Sequence, residues 1–312
     1  MIQTVSGAIC ENSALRVLMH EHVSCVSNDM LSAFGKGWLD EKELVDHCVK
    51  IFIFLKEKYK INLFIDGTPV DLGRKVKILT EISEKSGVDI VASSGLYLYP
   101  SMVTLYNGEK DIADLFLEEA EKGLEGTGIK PGILKCAADN EGISAENERR
   151  IGALGRVQSQ SGLPLYLHTL HQESTVQKAL KILTGRGANP EKIIVGHFDE
   201  SCSLEYVCDI LKSGCYACFD RRHYTPEYTL GVAKMLVRLS EKGYGDRLLL
   251  SNDTCIYSDF CSKGNKWLKF SEVPNTLGFV FSELKEKFLE NGGNASDYDK
   301  MLSENPIRVL NV

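Results

Sequence analysis

His20-Glu21-His22 closes a strand-like apolar run, Leu15-Arg-Val-Leu-Met19. Side chains alternate along a strand, so the two imidazoles are expected on one side, close enough to share an ion. Such a pair is half a site for a borderline metal such as zinc. On its own the tripeptide is a weak signal. Its weight comes from residues at equivalent places in later apolar runs. Gly132-Ile-Leu-Lys135-Cys136 carries a lysine among apolar neighbours. Leu165-Tyr-Leu-His168 and Ile194-Val-Gly-His197 end in histidine, and Leu248-Leu-Leu-Ser-Asn-Asp253 ends in aspartate. A lone histidine is more often a satisfied core or rim residue. Here four of the seven histidines cap three runs, and the agreement of five runs favours a metal-binding ring.

Lys135 stands out within that ring. At its usual pKa of about 10.4 a lysine is a cation and repels bound metals. Buried beside two divalent ions it would lose its proton, and the free amine can then add carbon dioxide. The carbamate formed is anionic, with two oxygens able to bridge a metal pair. A lysine reaching the rim, or paired with Asp66, is the plainer reading. The histidines and Asp253 provide no evident bridge, which favours the carbamate.

These residues need a scaffold that gathers strand ends. Strand candidates fall at 15–19, 62–66, 89–93, 132–136, 164–168, 192–196, 215–219 and 247–251. Between them lie stretches with apolar residues at spacings of three and four: 43–58, 72–85, 111–122, 146–160, 174–183, 204–212 and 227–242, with another near 283–290. Eight strands, each followed by a helix, predict an α/β fold, a closed (β/α)8 TIM barrel, whose active site lies at the strand C-termini. An open doubly wound sheet is the runner-up, but no glycine-rich phosphate turn follows the first strand. One domain spanning 1–312 is expected. Residues 1–14 form a short lead, read as a hairpin under the barrel, and 254–275 a long loop after strand eight.

Composition is that of an ordinary soluble protein, 43% hydrophobic and 25% charged. A net charge of −7 argues against a nucleic-acid partner, and Arg149-Arg150 and Arg221-Arg222 are too small to change that. No apolar run of about eighteen residues exists to span a membrane, and the N-terminus lacks signal-peptide character. The chain therefore reads as cytoplasmic. The ten scattered cysteines then read as buried hydrophobes, Cys215-x-x-Cys218 included, since no second such pair accompanies it.

Taken together, these segments resemble the phosphotriesterase family of the amidohydrolase superfamily. The likeness runs from Thr4-Val-Ser-Gly7 through Met19-His-Glu-His22, Phe64-Ile-Asp-Gly-Thr68, Ile133-Leu-Lys135, Leu167-His-Thr169, Val195-Gly-His197 and Ser251-Asn-Asp253 to Asn305-Pro-Ile-Arg308. The resemblance implies a binuclear centre, with one divalent metal on His20, His22 and Asp253 and a second on His168 and His197. A carbamylated Lys135 and a hydroxide would bridge them. Zinc is the expected metal, with manganese, cobalt or iron also compatible. Val91-Ala-Ser-Ser-Gly-Leu-Tyr97-Leu-Tyr99 and Phe219-Asp-Arg221 are similar to the lactonase branch, which carries a tyrosine at Tyr97. Asp253, Tyr97 and Arg221 are thus the expected catalytic residues. Asp253 would shuttle a proton, Tyr97 would position the substrate and leaving oxygen, and Arg221 would orient loop or substrate.

A lactone or carboxylic ester is the expected substrate, with promiscuous phosphotriester hydrolysis. The alternatives are phosphorylated sugar lactones or, within the superfamily, amides. Thr254-Cys-Ile-Tyr-Ser-Asp-Phe260 lacks the arginine expected of the sugar-phosphate subgroup, although Arg221, Arg222 and Lys263 remain available to an anion. The resemblance also implies a homodimer. Phe260, Trp267 and Phe270 would either wall an acyl chain or face a second subunit. His171 and His223 are rim candidates near the mouth, and His47 is assigned no role.

Overall fold

The computed structural model describes residues 1–10, 15–138, 142–169, 173–199, 201–221, 225–260 and 266–312. Its strands are β1 (Ile2–Thr4), β2 (Gly7–Ile9), β3 (Arg16–Cys25), β4 (Ile61–Asp66), β5 (Asp89–Gly95), β6 (Ile133–Ala137), β7 (Leu165–His168), β8 (Ile193–Val195), β9 (Tyr216–Phe219), β10 (Leu248–Leu250) and β11 (Cys255–Ser258). β1 and β2 form an antiparallel hairpin. The other nine make a parallel sheet in the order β10-β9-β8-β7-β6-β5-β4-β3-β11. The ring closes where the chain leaving β10 runs along β3: Asp253 N–H donates to His20 C=O at 3.1 Å and His22 N–H to Thr254 C=O at 2.9 Å. This is the (β/α)8 barrel that the alternating pattern predicts.

The helices are α1 (Asn28–Phe34), α2 (Glu41–Tyr59), α3 (Val76–Ser86), α4 (Met102–Tyr106), α5 (Glu109–Lys122), α6 (Ala145–Ser161), α7 (Glu173–Gly185), α8 (Leu204–Lys212), α9 (Pro226–Glu241), α10 (Glu283–Glu290), α11 (Ala295–Met301) and α12 (Glu304–Leu310). Helix starts follow local chemistry. The side chains of Asp40, Ser144, Ser203 and Thr225 accept N–H bonds from the first turns of α2, α6, α8 and α9. The segment expected to begin a helix at Leu72 instead makes a 3-10 turn, Val70–Leu72, before α3. Gly73 causes the break, with a left-handed φ of 81° and Val26 C=O so close that a Cβ would overlap it. Within the expected loop 254–275, residues 255–258 are strand β11.

Two apolar layers hold the barrel. One lies between strands and helices; the other fills the interior with Val17, Met19, Leu63, Ile65, Val91, Ile133, Ile194 and Leu249. Ile2 of the hairpin and Ile307 and Leu310 of α12 join the inner cluster and plug the barrel from its N-terminal end. Cys215 packs in the outer layer and Cys218 in the inner one, so the pair faces opposite sides of β9 and cannot grip one ion.

Candidate metal centre

β3 must turn two histidines inward, and a β-bulge does so. Val17 and Met19 already face the interior, so strict alternation would send His20 and His22 out. Leu18 pairs with Phe64 and Glu21 with Asp66, three residues on β3 against two on β4. The extra residue shifts the phase, and both imidazoles enter the barrel mouth. Glu21, fully buried, accepts from Ser251 Oγ (2.7 Å), Asn252 N (2.9 Å) and Asn252 Nδ2 (2.9 Å) on Oε1, and from Thr254 N (2.8 Å) on Oε2. That carboxylate locks the segment carrying Asp253 onto β3.

The six expected donors converge. His22 Nε2 lies 3.3 Å from Asp253 Oδ1, and His20 Nδ1 lies 3.8 Å from the same oxygen. His197 Nε2 and His168 Nδ1 meet at 2.5 Å, and Lys135 Nζ is 2.5 Å from His20 Nε2. His20, His22, Lys135, His168 and His197 are all buried, while Asp253 keeps an exposed edge. Two of these positions hold strained backbone: His197 has φ 70° and Asp253 φ 50°, left-handed values that cost a side-chain-bearing residue about 1–2 kcal/mol.

Outer oxygens orient the rings. Asp220 Oδ2 lies 2.9 Å from His20 Nδ1, and its Oδ1 lies 3.0 Å from His197 Nδ1 and accepts His197 N–H at 2.8 Å. Tyr166 O–H also donates to Asp220. Thr68 Oγ1 is 2.9 Å from His22 Nδ1. With Nδ1 engaged outside, Nε2 of all three rings is turned inward, and Nε2 is the nitrogen that ligates a metal when Nδ1 carries the ring proton. Burial alone would raise Asp220; the imidazoles of His197 and His20 outweigh it and hold the carboxyl well below its ordinary value. The same contest, decided by His20, His197 and His22, keeps Asp253 ionised.

Burial lowers Lys135 to about 8, with its Nζ 4.2 Å from the Tyr166 ring centroid. The alternative partner Asp66 is engaged elsewhere, accepting from Val23 N at 2.7 Å and Thr68 N at 3.0 Å. Next to it Gly67 is obligatory, since a Cβ there would sit 2.6 Å from His20 Cδ2. Three histidines with inward Nε2, a fourth offering Nδ1, a carboxylate and a neutralisable amine fit a pair of divalent cations. Two subsets, His20-His22-Asp253 and His20-His197-Asp220, place their ligand atoms within 4.8 Å of one another.

Tyr97 stands at the rim, its hydroxyl 3.1 Å from His168 Nε2. Burial and the Asp253 charge raise its pKa, and the positive charge of Arg221 opposes them. Phe260 approaches Tyr99 (ring centroids 6.4 Å), whereas Trp267 packs on Tyr257 (4.7 Å) and His47 (5.4 Å). His47, assigned no role from sequence, binds Leu268 C=O at 2.8 Å and tethers that segment. Arg222, His171, His223 and Lys263 lie outside the described residues. Sequence reasoning missed Asp220. Its position closing strand seven, like the histidines closing five and six, was the available signal.

The chain matches the family model of the Phosphotriesterase family over residues 1–310, and it belongs to that family, whose members are metal-dependent hydrolases. It is 25% identical over 294 residues to an aryldialkylphosphatase of Saccharolobus solfataricus, covering 93% of this chain and 92% of that one. It is 26% identical over 279 residues to a phosphotriesterase homology protein of Mycobacterium tuberculosis, covering 83% and 82%. An N-acetyltaurine hydrolase of Bos taurus is 23% identical over 349 residues, covering 99% and 97%. Among the described residues no helix is long and apolar enough to cross a membrane.

Proposed function

We propose that this protein hydrolyses lactones or carboxylic esters at a binuclear metal centre, with phosphotriester hydrolysis as a side activity. His20, His22 and Asp253 would hold one ion, His168 and His197 the other, and a carbamate on Lys135 would join them. When bound, two divalent cations supply a hydroxide at neutral pH and a Lewis acid for the carbonyl. Asp253, ionised and partly open to the mouth, takes the proton released as the nucleophile attacks and hands it to the leaving oxygen. Tyr97, protonated at any physiological pH, places a donor beside that oxygen. Arg221 draws the electron-rich side of the substrate toward Tyr97.

The observation that carries this reading is the Tyr97 hydroxyl held 3.1 Å from His168, beside the convergent donors. A second reading, amide hydrolysis, is favoured by the relatives named N-acetyltaurine hydrolase, alignable with nearly the whole chain. The phosphorylated sugar lactone reading has less support, because the stretch 254–260 just after Asp253 contains no arginine. The described cysteines are all free thiols, which supports a reducing, cytoplasmic setting. The test is a panel of γ- and δ-lactones, acyl-homoserine lactones, sugar lactones, paraoxon and N-acetyltaurine, assayed with zinc-, manganese- and cobalt-loaded protein. Highest kcat/KM on a lactone supports the first reading. Turnover of N-acetyltaurine alone would replace it with the second.

A further inference from the structure

Tyr97 follows strand β5 at the barrel mouth, where no neighbouring strand pairs with its peptide. Its polar backbone atoms are nevertheless both engaged, by charged groups from two distant segments. Its N–H donates to both carboxylate oxygens of Asp71, at 2.9 and 2.8 Å. Its C=O accepts from the guanidinium of Arg150 on α6. Arg150 is buried and is itself fixed by Glu146 Oε2, at 3.0 Å from Nε and 2.8 Å from Nη2. Its neighbour Arg149 donates to Thr104 C=O at 3.2 Å, anchoring α4 a turn further along. The Arg149-Arg150 pair is therefore a loop anchor and not a patch of surface charge. Charge-assisted hydrogen bonds to the two peptide groups that flank the Tyr97 Cα leave the residue little freedom in φ and ψ, and so fix where the Tyr97 hydroxyl points.

We propose that Asp71 and Arg150 are positioning residues that set the Tyr97 hydroxyl at the reacting centre by gripping the peptide groups before and after its Cα. This rests on the reading of Tyr97 as a substrate-contacting group. Neither Asp71 nor Arg150 touches the metal ligands. Both act through the phenol, which stands between them and His168. A misplacement on the order of 1 Å at such a group can cost about 100-fold in rate, so even partial loosening is measurable.

The test is a double-mutant cycle on zinc-loaded protein with p-nitrophenyl acetate, joined to hydrogen exchange of the peptide covering residues 96–101. Asp71→Ala and Arg150→Met are expected to lower kcat roughly tenfold or more with a smaller change in KM. Asp71→Asn should recover most of the loss, since its amide oxygen still accepts the Tyr97 N–H. In a Tyr97→Phe background the same changes should have almost no further effect. The 96–101 amides should exchange faster in Asp71→Ala while the midpoint of thermal unfolding stays put, a readout independent of turnover. If Asp71→Ala and Arg150→Met cost as much in Tyr97→Phe as in the parent, or local exchange is unchanged, the clamp is wrong while the role of Tyr97 stands. If Tyr97→Phe itself leaves kcat intact, the role of Tyr97 fails and takes the clamp with it. Should Asp71→Ala not fold, Arg150→Met carries the cycle.

Discussion

Asp220 is the residue on which most of the proposed metal chemistry turns, although it is expected to touch no metal in the proposed scheme. One carboxylate fixes the rings of His20 and His197, which stand on strand one and just after strand six of the barrel. Outer partners of metal-bound histidines typically contribute about 10–100-fold in metal affinity. Asp220→Asn should weaken zinc binding within that range, read by chelator competition. Lys135 gives a pH-dependent expectation. Its folded pKa, about 8, lies below the ordinary lysine value, so the free amine accumulates as pH rises through 8. With dissolved CO2 held constant, activation of the metal-free protein should accelerate up to about that pH and then level off. A rate independent of pH between 6.5 and 9 would count against the carbamate, and Lys135→Ala should show no bicarbonate effect and no activity.

Among the elements, the bulge in β3 and the buried Glu21 work as a pair. The bulge turns His20 and His22 into the mouth, and the intervening Glu21 then binds residues 251–254. The same three residues thus offer ligands to one side and close the barrel seam on the other. Glu21→Ala would strand four donors in a buried seam, each unsatisfied group costing about 1–3 kcal/mol before relaxation or water entry. Thermal or urea unfolding of the metal-free variant should show a loss of at least about 2 kcal/mol. An unchanged midpoint would mean that the seam closes without this carboxylate.

For the molecule as a whole, the barrel has one closed and one open end. β1, β2 and α12 plug the N-terminal end, so chemistry is confined to the other. Beside that open end, α4 and its approach present Tyr99, Met102, Leu105 and Tyr106, each half or more exposed. So much exposed apolar surface in one stretch is unusual for a monomer. We read it as supporting the homodimer that the family resemblance implies. Sedimentation equilibrium should give about twice the chain mass of 34.7 kDa, and Met102→Glu with Tyr106→Glu should halve it. A monomeric parent at micromolar concentration would remove the dimer.

The order of elements was legible in the sequence because hydrophobic periodicity is local. Eight short apolar runs alternating with amphipathic stretches leave a closed barrel as the economical solution, and the position of each polar residue within its run marks the shared rim. That reasoning placed Lys135, His168, His197 and Asp253 on this rim, where the structure gathers them. It could not find the bulge, since His20 and His22 keep their mutual spacing whichever side they face; the phase is set by pairing with β4. Nor could it find the hydrogen bonds that Asp220, Glu21, Asp71 and Arg150 make. Those partners lie up to 233 residues away, and a side-chain hydrogen bond depends on tenths of an ångström that only the closed tertiary structure decides.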